Sequence, residues 1–475
     1  MIKRAMCAAS AAAVMFVCGT GAAVSGGIDT TYKPGEGLFF ANEDNTFQLN
    51  LGMYGQFSLE NAKVDVYRRN LQDLSGQAQL PVDNIGESRN TFYARKLRLF
   101  AKGRLFEPWI TYKLEVDALS NDLGIRRAVV AFDAVQQSAT VNITKKDLTE
   151  NDYRTLKLVD FYVDFAPNPY AKVRLGQFKI PFGHEELVSD SMLAIPNRST
   201  ASDFFTPKRD RGAMFHGAVP SGTIGYALGA FNGTGLDQGR NADPQLAYAA
   251  RITVSSFGPY QETESVLDNP RSFKVQGAFA YYNSRNHLYP DTLSPEIYDQ
   301  RDTRQTVGVE AFWRHATVIA EGFTRKLEID DNTNQANRDV LINNACLGAV
   351  AQSRLSCEAR GFSVQGSWFL GDAHEVAARY SKVDNDKDTD NDERTEMTLA
   401  YTRFFRRHAL RWTTSITFDK IGINAAGGSG FDLQVGRWPS SNSPSPVFVI
   451  QNPGFFPGLK DDKNRTIVTM VQWAF

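Results

Sequence analysis

Between Lys96 and Arg104 the chain sets Lys96, Arg98, Lys102 and Arg104 on alternate positions, with Leu97, Leu99 and Ala101 between them. Successive side chains of a strand point to opposite faces, so the four cations and Phe100 share one face and the aliphatic residues the other. A row of guanidinium and ammonium groups can attract anions and pass them on. Arg does so through paired N–H donors that match phosphate or carboxylate, and Lys as a mobile point charge. The same parity turns Thr111, Lys113, Glu115 and Asp117 away from Ile110, Tyr112, Leu114 and Val116. It sets Asp160, Tyr162 and Asp164 opposite Phe161, Val163 and Phe165, and Lys172 and Arg174 opposite Val173 and Leu175. Arg251, Lys274, Gln276, Glu310, Arg314, Glu321, Glu375, Arg379 and Arg411 extend the polar face in later segments. Taken singly, each charge could equally stiffen a wall through a salt bridge.

Charges sort this consistently when one face of every strand stays wet. Sixteen segments alternate in polarity: 46–58, 92–104, 109–117, 157–166, 171–179, 212–219, 223–231, 246–256, 271–283, 304–314, 316–327, 361–370, 374–383, 394–404, 408–419 and 465–475. Their lengths suit tilted membrane strands of about 9–11 residues. Every second connection is a brief polar or Gly/Pro turn, at 105–108, 167–170, 220–222, 315, 371–372 and 406–407, with 257–270 longer than the others. The intervening connections are long: 59–91, 118–156, 180–211, 232–245, 284–303, 328–360, 384–393 and 420–464. This alternation predicts an all-β, transmembrane antiparallel barrel with turns at one rim and loops at the other. A secreted sandwich shares the periodicity but is not expected to alternate its connections. Segments 127–133 and 140–144 also alternate. As a hairpin inside one loop they leave sixteen strands, and as spans they make eighteen. A charge facing lipid at mid-membrane would cost about 2–4 kcal/mol, which is the force behind the sorting. Tyr112, Tyr226, Trp313, Trp368, Trp412 and Trp473 lie near strand ends, where an interfacial aromatic belt belongs.

At the amino end Lys3 and Arg4 precede an apolar run from Ala5 to Val17, followed by Gly21, Ala22, Ala23 and Ser25. That is the pattern of an export leader over 1–25, cleaved after Ala23 or Ser25. Residues 465–475 alternate and end on Phe475, reading as the strand that closes a single barrel domain over 26–475 and as the signal for barrel assembly machinery. Elsewhere no apolar run reaches the ~18 residues of a membrane helix. A mean hydropathy of −0.34 fits a barrel in which only alternate residues face lipid. The formal charge is −1, or about −3 without Lys3 and Arg4. No basic excess points to nucleic acid, so ion preference must come from local placement. Cys346 and Cys357 remain after the leader and predict a disulfide in an oxidising compartment. The acidic tract 384–393 lacks the glycine and ligand spacing of a calcium loop and reads as solvated.

The stretch 171–217 resembles the phosphate-selective porin O and P family. A strand ending G-Q-F-K-x-P-F-G (Gly176, Gln177, Phe178, Lys179, Pro181, Phe182, Gly183) enters a long loop, and R-D-x-G (Arg209, Asp210 and Gly212, or Arg211 and Gly212) opens the next strand. Gly37-Leu38-Phe39, KLRLFAKGRL at 96–105, DFYVDF at 160–165 and Phe231-Asn232-Gly233 agree as well. The resemblance implies a sixteen-stranded trimeric porin of the bacterial outer membrane, with loop 180–211 folded into the lumen as a constriction. It also implies a series of lumen cations that hands anions such as phosphate to that constriction. The candidates here are Lys96, Arg98, Lys102, Arg104, Lys113, Lys172, Arg174 and Lys179 on the wall, and Arg198, Lys208, Arg209 and Arg211 from the loop. Inward acids (Asp117, Asp160, Asp164, Glu310, Glu321 and Glu375), and Glu185, Glu186 and Asp190 in the loop, could neutralise that series.

The leading expectation is passive diffusion of small hydrophilic solutes, anions first, across the outer membrane with no cofactor. The alternative is a general or weakly cation-preferring porin. A third reading, an outer-membrane enzyme or adhesin on a plugged barrel, would put its working parts in loops 328–360 and 420–464. No G-x-S-x-G elbow, H-E-x-x-H pair or P-loop occurs to support it.

Overall fold

The structure, a computed structural model, describes residues 28–44, 46–68, 83–119, 129–133, 138–142, 156–236, 241, 244–256, 258, 262–265, 267, 273–288, 298–329, 356–390, 392–422 and 462–475. The expected leader and Cys346 lie outside them. The chain opens with a hairpin of β1 (Ile28–Lys33) and β2 (Gly37–Asn42). Then come β3 (Gln48–Arg68), β4 (Asp83–Leu105) and β5 (Glu107–Asp117), and a separate two-stranded hairpin of β6 (Val129–Asp133) and β7 (Ser138–Asn142). Next follow β8 (Lys157–Asn168), β9 (Ala171–Lys179), β10 (Arg209–Ala218), β11 (Ile224–Phe231), β12 (Ala247–Ser255), β13 (Lys274–Leu288) and β14 (Tyr298–Trp313). The chain finishes with β15 (Ala316–Ile329), β16 (Ser356–Leu370), β17 (His374–Asp384), β18 (Glu393–Arg406), β19 (Leu410–Ile421) and β20 (Asp462–Ala474).

From β3 to β20, leaving out the β6–β7 hairpin, each strand pairs antiparallel with the next, and β20 pairs back onto β3. The result is a closed sixteen-stranded barrel. The β6–β7 hairpin stays apart, which resolves the choice between sixteen and eighteen strands. Opposite its β4 edge, β3 serves two partners: residues Tyr54 to Lys63 pair with β20, while Gln48 to Leu51 pair with β2. At the seam the Phe475 N–H donates to the Met53 carbonyl (2.8 Å) and its ring lies 5.3 Å from that of Tyr32.

Alternation along the strands follows the predicted faces. Leu99, Phe161, Val173, Leu175, Leu228, Ile252, Val307, Val309 and Val364 are exposed on the outside, while Arg98, Glu115, Asp160, Arg251, Gln276, Glu310, Glu321, Glu375, Arg379 and Arg411 are buried within. Turns at the short rim force unusual backbone. Phe106, Arg314 and Arg407 take φ of 65°, 53° and 46°, a region in which side chains crowd the backbone.

The structure departs from the sequence reading in four places. The β1–β2 hairpin is additional, its strands only six residues each. Residues 59–68 and 83–91, expected in a loop, extend β3 and β4, which reach 21 and 23 residues and outrun a membrane span. Arg314 lies in an exposed turn beside Trp313 and does not face inward. The tract after β17 is not fully solvated, because Asn385, Asp386 and Asp392 are buried against one another.

Candidate functional site

The chain leaving β9 turns in against the inner faces of the strands. Gly176 prepares the exit: its φ is +133°, and a Cβ there would meet the Phe161 carbonyl oxygen at 2.1 Å. Gln177 donates to the Leu158 carbonyl (2.7 Å), and Phe178 packs edge-on to Phe231 (5.5 Å). Two short helices follow, α1 (His184–Leu187) and α2 (Thr200–Phe205), the second capped by Ser199 Oγ, which accepts from the Ser202 N–H at 3.0 Å. Phe182, Val188, Leu193, Ile195, Ala201 and Phe205 are all buried.

Wall groups then satisfy the segment's backbone. Glu321 accepts the His184 N–H (2.7 Å), Glu396 the Thr200 N–H (2.8 Å) and Ser381 the Ala201 N–H (3.0 Å). Arg251, Arg304, Arg379 and Arg411 donate to the carbonyls of Phe182, Phe205, Asn197 and Leu193 at 2.7–2.9 Å. Buried backbone polar groups are costly without partners, so these bonds decide where the segment can lie.

A second segment comes from the opposite rim. Thr263, Glu264 and Ser265, in the connection between β12 and β13, are buried; Glu264 accepts the Ala194 N–H (2.9 Å) and Ser265 donates to Glu375 (3.2 Å). In the sequence this stretch shows only as one overlong turn.

The two segments pack against the face carrying Glu310, Glu321, Glu375 and Glu396, leaving a cavity of about 390 Å³ along β4, β5 and β8 to β12. Arg98, Lys113, Arg174, Lys179, Arg209 and Arg251 line it, against Glu115, Asp160, Asp190 and Glu262, so its formal lining charge, counted without histidine, is +2. The expected neutralisation by inward acids is therefore partial, since five of the six named wall acids (Asp117, Asp164, Glu310, Glu321 and Glu375) are absent from the lining. A neighbouring cavity holds Lys102, Arg104 and Lys113 with Glu36 and Asp164.

The phosphate-selective porin O and P sequence profile matches residues 64–413. The chain belongs to that family. It is an outer-membrane porin and not an enzyme. Among solved structures it is similar to an anion-selective porin from Comamonas acidovorans, at 12% identity and a TM-score of 0.51, over 90% of this chain and 100% of that one. It also matches the outer membrane channel DcaP of Acinetobacter baumannii at 13% identity and a TM-score of 0.47, over 92% and 99% of the two chains. Comparison with curated protein sequences gives no match.

The porin's cavity brings together five of the twelve expected cations, Arg98, Lys113, Arg174, Lys179 and Arg209. Most are already engaged. Arg98 contacts Glu115 (2.8 Å) and Asp190 (2.7 Å), Lys113 contacts Glu115 and Asp160 (both 2.7 Å), and Arg209 contacts Asp160 (2.7 Å). Arg174 pairs bidentately with Asp164 (2.7 and 2.8 Å) and stacks over Tyr162 at 3.9 Å. Lys179 donates to the Glu186 and Val188 carbonyls (2.6 and 2.8 Å), so it ties down the segment's root.

Lys96 and Arg198 converge on Asp190, Arg198 at 2.5 Å, and line neither cavity. Lys208 pairs with exposed Asp203 (2.8 Å), and Arg211 donates to Gln177 (3.2 Å). Among the described residues, Lys102, Arg104 and Lys172 have no ion-pair partner; Lys102 lies 5.4 Å from the Phe100 ring centroid. Cys357 is disulfide-bonded. Arg251 lines the cavity as well, although the family motif does not single it out; its polar-face parity was the available signal.

Electrostatics in the inserted segments match this packing. Burial alone would raise Asp190, but Arg198, Lys96 and Arg98 hold its carboxyl well below the usual range. Burial pushes Glu185 up to about 7 despite Arg379 beside it. Burial opposes charge on His184, yet Glu310 and Glu262 raise its imidazole well above the ordinary value.

Proposed function

We propose that this porin passes small inorganic anions, phosphate among them, along the wall formed by β4, β5 and β8 to β12. The +2 lining of the cavity carries this reading. Fixed positive charge on a narrow wet path biases which ion enters, and carboxylates beside each cation keep binding weak enough for release. Arg174, Arg98 and Arg209 would present planar donors to phosphate oxygens, with Lys113 as a point charge. Segment 180–211 acts as the constriction, supported by its bonds to wall residues from Gln56 to Gln472. Lys102, Arg104 and Lys172 would recruit anions at the short-turn rim. The anion-selective porin of Comamonas acidovorans has the same fold and is consistent with this direction.

On the same reading the chain loses its 1–25 leader on export, bridges Cys346 to Cys357, and is delivered by barrel assembly machinery through the strand ending at Phe475. It then works as a homotrimer in outer-membrane lipid. The test is a phosphate titration of single-channel chloride conductance in a planar bilayer. Saturable block, weakened by Arg174→Gln, is expected. Conductance indifferent to phosphate would reduce the function to general diffusion.

A further inference from the structure

Where α1, the second inserted segment and the wall meet, three side chains point at one another. His184 Nδ1 lies 2.5 Å from Glu262 Oε2 and 2.7 Å from Glu310 Oε1, and the three ligand atoms all fall within 4.8 Å of one another. One ring nitrogen carries at most one hydrogen, so it cannot serve both carboxylates well. Glu310 shows the deficit. Its residue is 0% exposed, and although Oε1 is close to the imidazole, neither carboxylate oxygen has an aligned hydrogen-bond partner among the described residues. A fully buried carboxylate without donors costs several kcal/mol unless a cation satisfies it.

We propose that His184, Glu262 and Glu310 form a site for a first-row divalent cation of the zinc class. One imidazole with two carboxylates is a donor set such ions accept, leaving a fourth position for water. Ligands around zinc sit about 3.3 Å apart, so the two distances from the imidazole to the carboxylates need to lengthen by less than about 1 Å. Neighbouring residues hold them in place. Arg251 (2.8 Å) takes Glu262 Oε1 and leaves Oε2 facing His184, and Glu321 fixes the His184 N–H at 2.7 Å. Binding displaces the proton that the two carboxylates otherwise hold on His184, and Glu262, Glu310 and Glu321 against Arg251 then leave a local charge of −2, which a divalent ion cancels. Glu262 also lines the conduit, which provides an entry path. Bound there, the ion would staple both inserted segments to β14 and add positive charge to the cavity wall.

The test uses the full-length porin, purified in detergent and stripped with a chelator, then titrated with Zn²⁺ by calorimetry and with Co²⁺ by visible absorption. One equivalent per chain is expected, with the Co²⁺ spectrum of a nitrogen and oxygen ligand field. His184→Gln and Glu310→Gln should each weaken binding by at least about tenfold, while Glu375→Gln leaves it unchanged. No saturable Zn²⁺ binding, or binding that both variants retain in full, would overturn the site. If either variant fails to assemble, the wild-type Co²⁺ spectrum decides, since an aqua-ion spectrum also overturns it.

Discussion

Changing one charge at a time on the cavity wall should move ion selectivity in opposite directions. Neutralising Glu115 takes the lining from +2 to +3, and neutralising Lys113 takes it to +1. Neither change strips its neighbours bare: without Glu115, Arg98 keeps Asp190 (2.7 Å) and Lys113 keeps Asp160 (2.7 Å). A unit charge about 6 Å from a permeating ion is worth about 0.7 kcal/mol in a water-like medium. Screening at about 0.1 M salt reduces this to about 0.4 kcal/mol, or about twofold for an anion and the inverse for a cation. The chloride-to-potassium permeability ratio should therefore rise about fourfold in Glu115→Gln and fall about fourfold in Lys113→Gln. The assay is the zero-current potential in a planar bilayer under a KCl gradient. Glu375→Gln, which lies in the packed half outside the cavity lining, is the control and should not move it. Shifts of the same sign in both lining variants, or an equal shift in the control, would refute the division of the lumen into a packed acidic half and an open basic one.

Arg379 bridges Glu396 (2.6 Å) and Glu185 (2.9 Å), so Arg379→Ala leaves two buried carboxylates unpaired. It should cost about 3–5 kcal/mol, seen as a lower unfolding temperature in detergent together with larger, less selective conductance. Gly176→Ala meets both a strained φ and the Phe161 carbonyl oxygen at 2.1 Å, and should cost about 3 kcal/mol or more, seen as loss of the heat-resistant folded band on electrophoresis. Burial, with Asp384 alongside, pushes the Asp392 carboxyl from its ordinary 3.8 up to about 7. An acid raised on folding favours the folded turn below its unfolded value and loses that contribution as pH climbs toward 7. Exchange of the Asp386 N–H, bonded to Asp392 at 2.7 Å, should therefore be faster above pH ~7 than near pH ~5 after correction for intrinsic rates, and Asp392→Asn should flatten the difference.

Strand parity was legible because lipid imposes it: Leu99 and Phe161 could not trade places with Arg98 and Asp160 without placing charge in hydrocarbon. The long and short connections followed from the same architecture. Parity names a face, however, and not which part of the lumen the inserted segments will occupy. Glu321 and Glu375 therefore read as conduit charges, when Glu321 accepts the N–H groups of α1 and Glu375 the hydroxyl of Ser265. Lys179 reads as a ladder rung until α1 closes over it and offers carbonyls. The stretch around Glu262 to Ser265 left only excess length as a signal, because its partners Ala194, Gln365 and Glu375 are distant in sequence. The outer halves of β3 and β4 stand beyond a membrane span, where no apolar face is demanded and the alternation fades.

Whether the basic wall governs permeation is decided by the zero-current potential of the purified wild-type porin in a planar bilayer under a KCl gradient, repeated with phosphate. A potential on the chloride side is expected, with a smaller chloride current once phosphate is added. A potential at zero or on the potassium side would contradict it, showing that Glu115, Asp160, Asp190 and Glu262 outweigh the cations that share their cavity.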